Sequence, residues 1–167
     1  MKKLSIREYI IYSSVILSGV LIDQLSKWLA TAYLKPIGDL PLIKGVLHFT
    51  YHMNPGMAFG LLANNRWIFM VFSTLMILVL GYLLYAGKLG TRLYNAAAAM
   101  IISGGIGNMI DRFFIGKVVD FINFELINFA VFNVADSIVC IGAGLLIFAL
   151  ILDIVKEHKQ KRQENEK

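Results

Sequence analysis

Four stretches of the chain are nearly free of charge and close to the ~20 residues needed to cross the hydrocarbon of a bilayer as a helix. They cover residues 9–30, 67–87, 94–110 and 130–152. The second carries no charge, the first holds Asp23 and Lys27, and the fourth holds Asp136. The third is short and rich in small residues, from Ala96 to Ala99 and on through Ser103, Gly104, Gly105 and Gly107. Small residues let helix backbones approach closely, which predicts a helix in the middle of a bundle, with its glycines serving packing. Between the first two spans, Leu47, Phe49, Tyr51 and Met53 alternate with Val46, His48, Thr50 and His52. That period of two marks a half-buried strand, and Asn54, Pro55 and Gly56 then turn the chain. The pattern predicts an all-α membrane protein with four transmembrane helices, occupying residues 1–167 as one domain. A short sheet is expected on the outer surface, its aromatic face toward lipid. Beyond Asp153, residues 154–167 read as a polar, basic, frayed cytoplasmic tail.

Composition supports the membrane class. Of 167 residues, 57% are hydrophobic and 16% charged, whereas soluble domains run at about 45–50% apolar and about 25% charged. A soluble globular protein is excluded, and so is a disordered chain, which needs few apolar residues. The net charge of +5 reads as membrane orientation; no basic stripe interleaved with aromatics suggests a nucleic acid partner. Ten Lys and Arg lie in the two termini and the loop between the second and third spans, against five in the other two loops. Positive excess marks the cytoplasmic side, so both termini are expected inside, with residues 31–66 and 111–129 facing outward. Ala30, Thr31 and Ala32 have the form of a signal-peptide cleavage site, but Asp23 and Lys27 interrupt the apolar run before it, so the first span reads as permanent. Cys140, the single cysteine, reads as a small core residue.

The polar residues inside the spans are the chemical signal, because a charge at the bilayer centre costs about 2.5–3.5 kcal/mol. At 1.5 Å per residue, Asp23 lies about 21 Å along the first span, Asn108 about 21 Å and Arg112 about 27 Å along the third. The fourth span returns inward, so Asn133 and Asp136 lie near its outer end, and Asp120 reaches that level from the preceding loop. Polar groups from three helices and a loop thus share one depth, which predicts a site in the outer third of the membrane. Asp23 and Lys27, four apart, read equally as a structural pair, with Lys27 snorkelling to the surface, and as direct participants. Arg112 reads as a ligand for a carbonyl or phosphate or as the partner of an acid, and Asp111 as a support of the helix end. Asp136 has no basic residue within one turn of helix and Asp120 is bracketed by apolar residues, and the two read as structural or as a functional pair. If paired in a dry site they would share one proton: the ionised member would activate water and the protonated one would serve a carbonyl and its leaving amine. His48 and His52 are about 13 Å apart on a strand, too far to share a metal, and the sequence has no His-Glu-x-x-His or Gly-x-Ser-x-Gly. Gly105-Ile-Gly-Asn108 is similar to the Gly-x-Gly-Asp of presenilin-type proteases but ends in an amide.

Five motifs together resemble the lipoprotein signal peptidases, the bacterial signal peptidase II family. They are Asp23-Gln-Leu-Ser-Lys27, Asn54-Pro-Gly-Met-Ala-Phe-Gly60, Gly104-Gly-Ile-Gly-Asn-Met-Ile-Asp-Arg112, Val118-Val-Asp-Phe121 and Phe132-Asn-Val-Ala-Asp-Ser137, in the family's order. The resemblance implies an intramembrane aspartic endopeptidase of the bacterial plasma membrane, with its active site at the extracytoplasmic face. It implies removal of signal peptides from diacylglyceryl-modified prolipoproteins, cut just before the lipidated lipobox cysteine. Asp120 and Asp136 would be the catalytic dyad, with Asn54, Asn108, Arg112 and Asn133 around the substrate and Asp23 and Lys27 in support. A β-cradle, a flap-like loop before the fourth span and sensitivity to globomycin belong to the same resemblance. No metal or other cofactor is implied, the partners are lipidated substrate and membrane lipid, and a monomer suffices. Met53 and Met57 depart from the family's usual basic and small residues. The competing reading is a small ion- or proton-coupled transporter, which would favour paired repeats and polar groups at the midplane.

Overall fold

A computed structural model describes residues 4–56, 66–127 and 129–165. Met57 and the rest of the Asn54–Gly60 motif after Gly56, together with Lys2, Lys3 and Lys167 of the charge count, lie outside the described residues. The first helix, α1 (Ile6–Leu29), starts at a capping box in which Ser5 and Glu8 exchange side-chain and backbone bonds, and it ends in a wider π turn at Ala30–Leu34. Then come strands β1 (Asp39–Ile43) and β2 (Leu47–Asn54), helices α2 (Arg66–Tyr85) and α3 (Arg92–Phe114), strand β3 (Val118–Asn123), a single 3-10 turn at Glu125–Ile127, and helix α4 (Val134–Asn165). By length and composition Ile6–Leu34, Arg92–Phe114 and Val134–Asn165 suffice to cross a membrane; in α2 the described apolar run is Met70–Tyr85. Instead of fraying after Asp153, α4 stays helical to Asn165. Its start is also later than the hydrophobic run suggests, because residues 129–133 are not helical and Phe132 bridges to Ile122.

Packing follows the small residues. Helix α3 contacts α1, α2 and α4, and where it meets each neighbour one side lacks a side chain. Gly107 admits Asp23 of α1, where a Cβ would fall 2.5 Å from Oδ2, and Gly104 lies on the Ala135 carbonyl of α4. Reciprocally, Gly19 of α1 receives Ser103 of α3, and Gly142 of α4 lies 3.0 Å, measured from an added Cβ, from the Ala97 carbonyl. Cys140 does not join this core: it is exposed, on the wall of a cavity between the helices.

The strands form one antiparallel sheet in the order β1-β2-β3. Proline interrupts a sheet ladder and is tolerated at an edge, which is where Pro41 of β1 sits. The aromatic face of β2 does not look toward lipid. Phe49, Tyr51 and Met53 cover a small second core of Ala30, Leu34, Val119 and Phe121, with Val134 at its border. The sheet is thereby fastened to the ends of α1 and α4, since aromatic area is better buried against protein than left at an interface.

Replacing Gly104 by Ala is expected to force α3 and α4 apart and cost about 1–3 kcal/mol. Gly144→Ala, where an added Cβ meets nothing within 4 Å, is expected to leave stability unchanged. Thermal unfolding of both variants in detergent checks the contrast.

Candidate functional site

The end of the bundle beneath the sheet gathers the candidate site residues, from Asp23 and Lys27 to Asn133 and Asp136. Asp120 is central in β3, and because β3 pairs with β2, Asn54 at the end of β2 reaches it: Asn54 Nδ2 donates to Asp120 Oδ2 at 2.8 Å. Main-chain bonds then tie β3 to the entry of α4. Phe121 and Ile122 N–H both donate to the Phe132 carbonyl, and Phe132 N–H donates to Ile122 O at 3.0 Å. The residue after this bridge, Asn133, caps α4. Its Oδ1 accepts from Asp136 N–H at 3.0 Å, while Asp136 Oδ2 accepts from Asn133 N–H at 3.2 Å, the reciprocal arrangement of a capping box. Asn133 Nδ2 also donates to Asp120 Oδ1 at 2.6 Å. One residue therefore holds both acids.

From α3, Asn108 Nδ2 donates to Asp136 Oδ1 at 2.7 Å, and Asn108 Oδ1 accepts from Asn133 Nδ2 and from Lys27 Nζ at 3.0 and 2.9 Å. Each oxygen of each acid thus receives an amide donor. Arg112 leans over the same space, donating to the carbonyls of Asn108 and Gly56, each at 3.3 Å. Lys27 does not snorkel outward. It is 3% exposed, pairing with Asp23 at 2.9 Å and Asp111 at 3.1 Å. Asp23 Oδ1 accepts from Ala135 N–H at 2.8 Å and Asp111 Oδ2 from Val119 N–H at 3.0 Å. Gln24, which the sequence reading passed over, braces the pair by donating to Asp23, Asp111 and the Gly107 carbonyl.

Asp120 and Asp136 line one cavity of about 740 Å³. Its polar end holds Asn54, Asn108 and Arg112, and its remainder runs between α2, α3 and α4 past Phe72, Met76, Leu80, Ile101 and Cys140. Burial pushes the Asp120 carboxyl up to about 6, helped by the nearby Asp136; bonds from Asn54 and Asn133 and the charge of Lys27 oppose the rise. An acid so raised holds its proton more tightly when folded, so the stability due to Asp120 is present at low pH and lost as pH rises through about 6. His52 stands opposite Asp120 in the β2–β3 pairing. His48 lies apart, between Asp39 at 3.0 Å and Glu125 at 2.8 Å. Among the described residues no cluster of three or more His, Cys, Asp or Glu has the arrangement of a metal site.

A family model described as Signal peptidase (SPase) II matches residues 15–152. The lipoprotein signal peptidase of Halalkalibacterium halodurans is 39% identical over 157 residues, covering 93% of this chain and 99% of the relative. That of Caldanaerobacter subterraneus subsp. tengcongensis is 47% identical over 133 residues, 79% and 90% of the two chains. That of Bacillus subtilis is 35% identical over 153 residues, 90% and 99%. Among solved structures, a bacterial membrane enzyme determined in meso at 2.3 Å resolution superimposes with a TM-score of 0.81 at 30% identity, covering 92% of this chain and 93% of its own. A second, at 1.9 Å, gives 0.77 at 31% identity with coverage of 89% and 96%.

Removing the Asn54 donor withdraws a bond that favours the charged carboxylate, so in Asn54→Ala the Asp120 carboxyl is expected to titrate above the value of about 6. Carbon-13 NMR of labelled aspartate across a pH series measures this shift.

Proposed function

The chain belongs to the signal peptidase II family, and on that premise we propose that it is an intramembrane aspartic endopeptidase whose catalytic pair is Asp120 and Asp136. Its substrate is a prolipoprotein carrying a diacylglyceryl group on the lipobox cysteine, and the bond cut is the one just before that cysteine. The observation that carries this reading is the pairing of the two acids on Asn133 at the polar end of a cavity whose remainder is mostly apolar. A lipidated peptide needs both environments at once: hydrocarbon for its acyl chains and signal sequence, and a polar end where water meets the scissile carbonyl.

The chemistry follows from two carboxyl groups sharing one proton. The ionised member takes a proton from water as it attacks the carbonyl; the protonated member donates to the carbonyl oxygen and later to the departing amine. Arg112 and Asn54 orient the peptide beside them. Titration belongs to the pair, and activity declines on the alkaline side as the shared proton is lost. In this reading the chain has four spans with both termini cytoplasmic and the sheet external, so the site lies at the outer leaflet, where lipidated substrate resides. The clustering of polar groups at one end of the bundle supports peptidase over transporter, which would favour the midplane.

Asp120→Asn and Asp136→Asn are each expected to lower cleavage of a lipidated prolipoprotein by about 100- to 10,000-fold while leaving the protein folded and inserted. The assay is turnover in detergent or liposomes; globomycin should block it and EDTA should leave it unchanged. Near-normal turnover in either variant would reject the assignment.

A further inference from the structure

We propose that Lys27 is a positioning residue for the reaction: its one ammonium sets the placement of both aspartates, an inference that rests on the aspartic-peptidase reading above. A lysine ammonium has three donors, and here they are directed at Asp23 Oδ2, Asp111 Oδ2 and Asn108 Oδ1, at 2.9, 3.1 and 2.9 Å. Each acceptor leads on to the catalytic pair by a single further bond. Asp23 holds the N–H of Ala135, the residue before Asp136. Asp111 holds the N–H of Val119, the residue before Asp120. Asn108, its carbonyl oxygen turned toward Lys27, is left with its amide nitrogen facing Asp136. An ion pair serving only to join α1 to α3 would not require both carboxylates to grip the backbone one step ahead of a reacting acid. Gly107 fits the same purpose, since any side chain there would displace Asp23.

The arrangement is also electrostatic. Among the described residues, the charged and titratable groups around the pair are Asp23 and Lys27 on α1, Asp111 and Arg112 on α3, and His52 on β2. Removing the cation and removing either anion of the cluster should therefore move the pair's titration in opposite directions. A purely structural ion pair, once broken, would lower the amount of folded enzyme and leave the pH profile of the folded fraction in place.

The test uses the full-length enzyme in detergent, a lipidated prolipoprotein peptide, and kcat and KM measured across pH, with thermal unfolding alongside. Lys27→Met is expected to lower kcat about 100-fold, as a small misplacement of reacting groups does, with little change in KM. Its alkaline limb should move up by about one pH unit. Asp23→Asn and Asp111→Asn keep an amide oxygen for the backbone N–H, so they should retain more activity and move the limb down. If Lys27→Met fails to fold, the two asparagine variants decide, and a downward shift supports the proposal. Folded variants whose limbs stay at the wild-type position, or whose change is confined to KM, overturn it. Wild-type enzyme that cleaves no prolipoprotein would overturn the peptidase reading instead.

Discussion

Inside a bilayer there is no water to answer a charge, so every ionised group on these helices has to be answered by the chain itself. That constraint organises this molecule. Asp23, Lys27 and Asp111 are nearly inaccessible, and each is satisfied by groups from other segments. The bonds that satisfy them also fix the first turn of α4 and the start of β3. The need to neutralise buried charge and the need to place two acids are met by one network, which links the fold to its chemistry.

The helices were legible because they depend on one dominant variable, the run of apolar residues. The central place of α3 was legible for a related reason, since a stripe of glycine, alanine and serine has little purpose on a lipid-facing surface. The small sheet was only partly so. The alternation of β2 stands out, but β3 is buried on both faces at its start, so Val118–Asn123 shows no period of two and reads as a loop. The aromatic face of β2 was misassigned because alternation identifies a buried side without saying what buries it. Cys140 and Lys27 show the same gap in opposite senses: an apolar context does not make a residue central, and a long cationic side chain does not have to reach water.

The candidate site was legible as a set of residues at one depth, from the helical rise. How they are joined was not. Asn133 with Asp136 three residues later is a capping-box pattern that local rules could have identified, and it would have accounted for the orientation of Asp136. Asp111 reads as a support of the helix end, but its carboxylate bonds Lys27, Gln24 and Val119, the last on a strand whose existence was not apparent. Gln24 carried no local signal: its worth comes from bridging two acids that meet only after folding.

The main-chain bridge between Ile122 and Phe132 has an evolutionary consequence. It closes the segment 124–131 at its base, so the register of the two acids is decided below that segment and does not depend on what it contains. A change within it therefore leaves the spacing of Asp120 and Asp136 where the bridge sets it. Such a layout keeps the placing of the acids apart from the shaping of the rim, so evolution can act on one without disturbing the other.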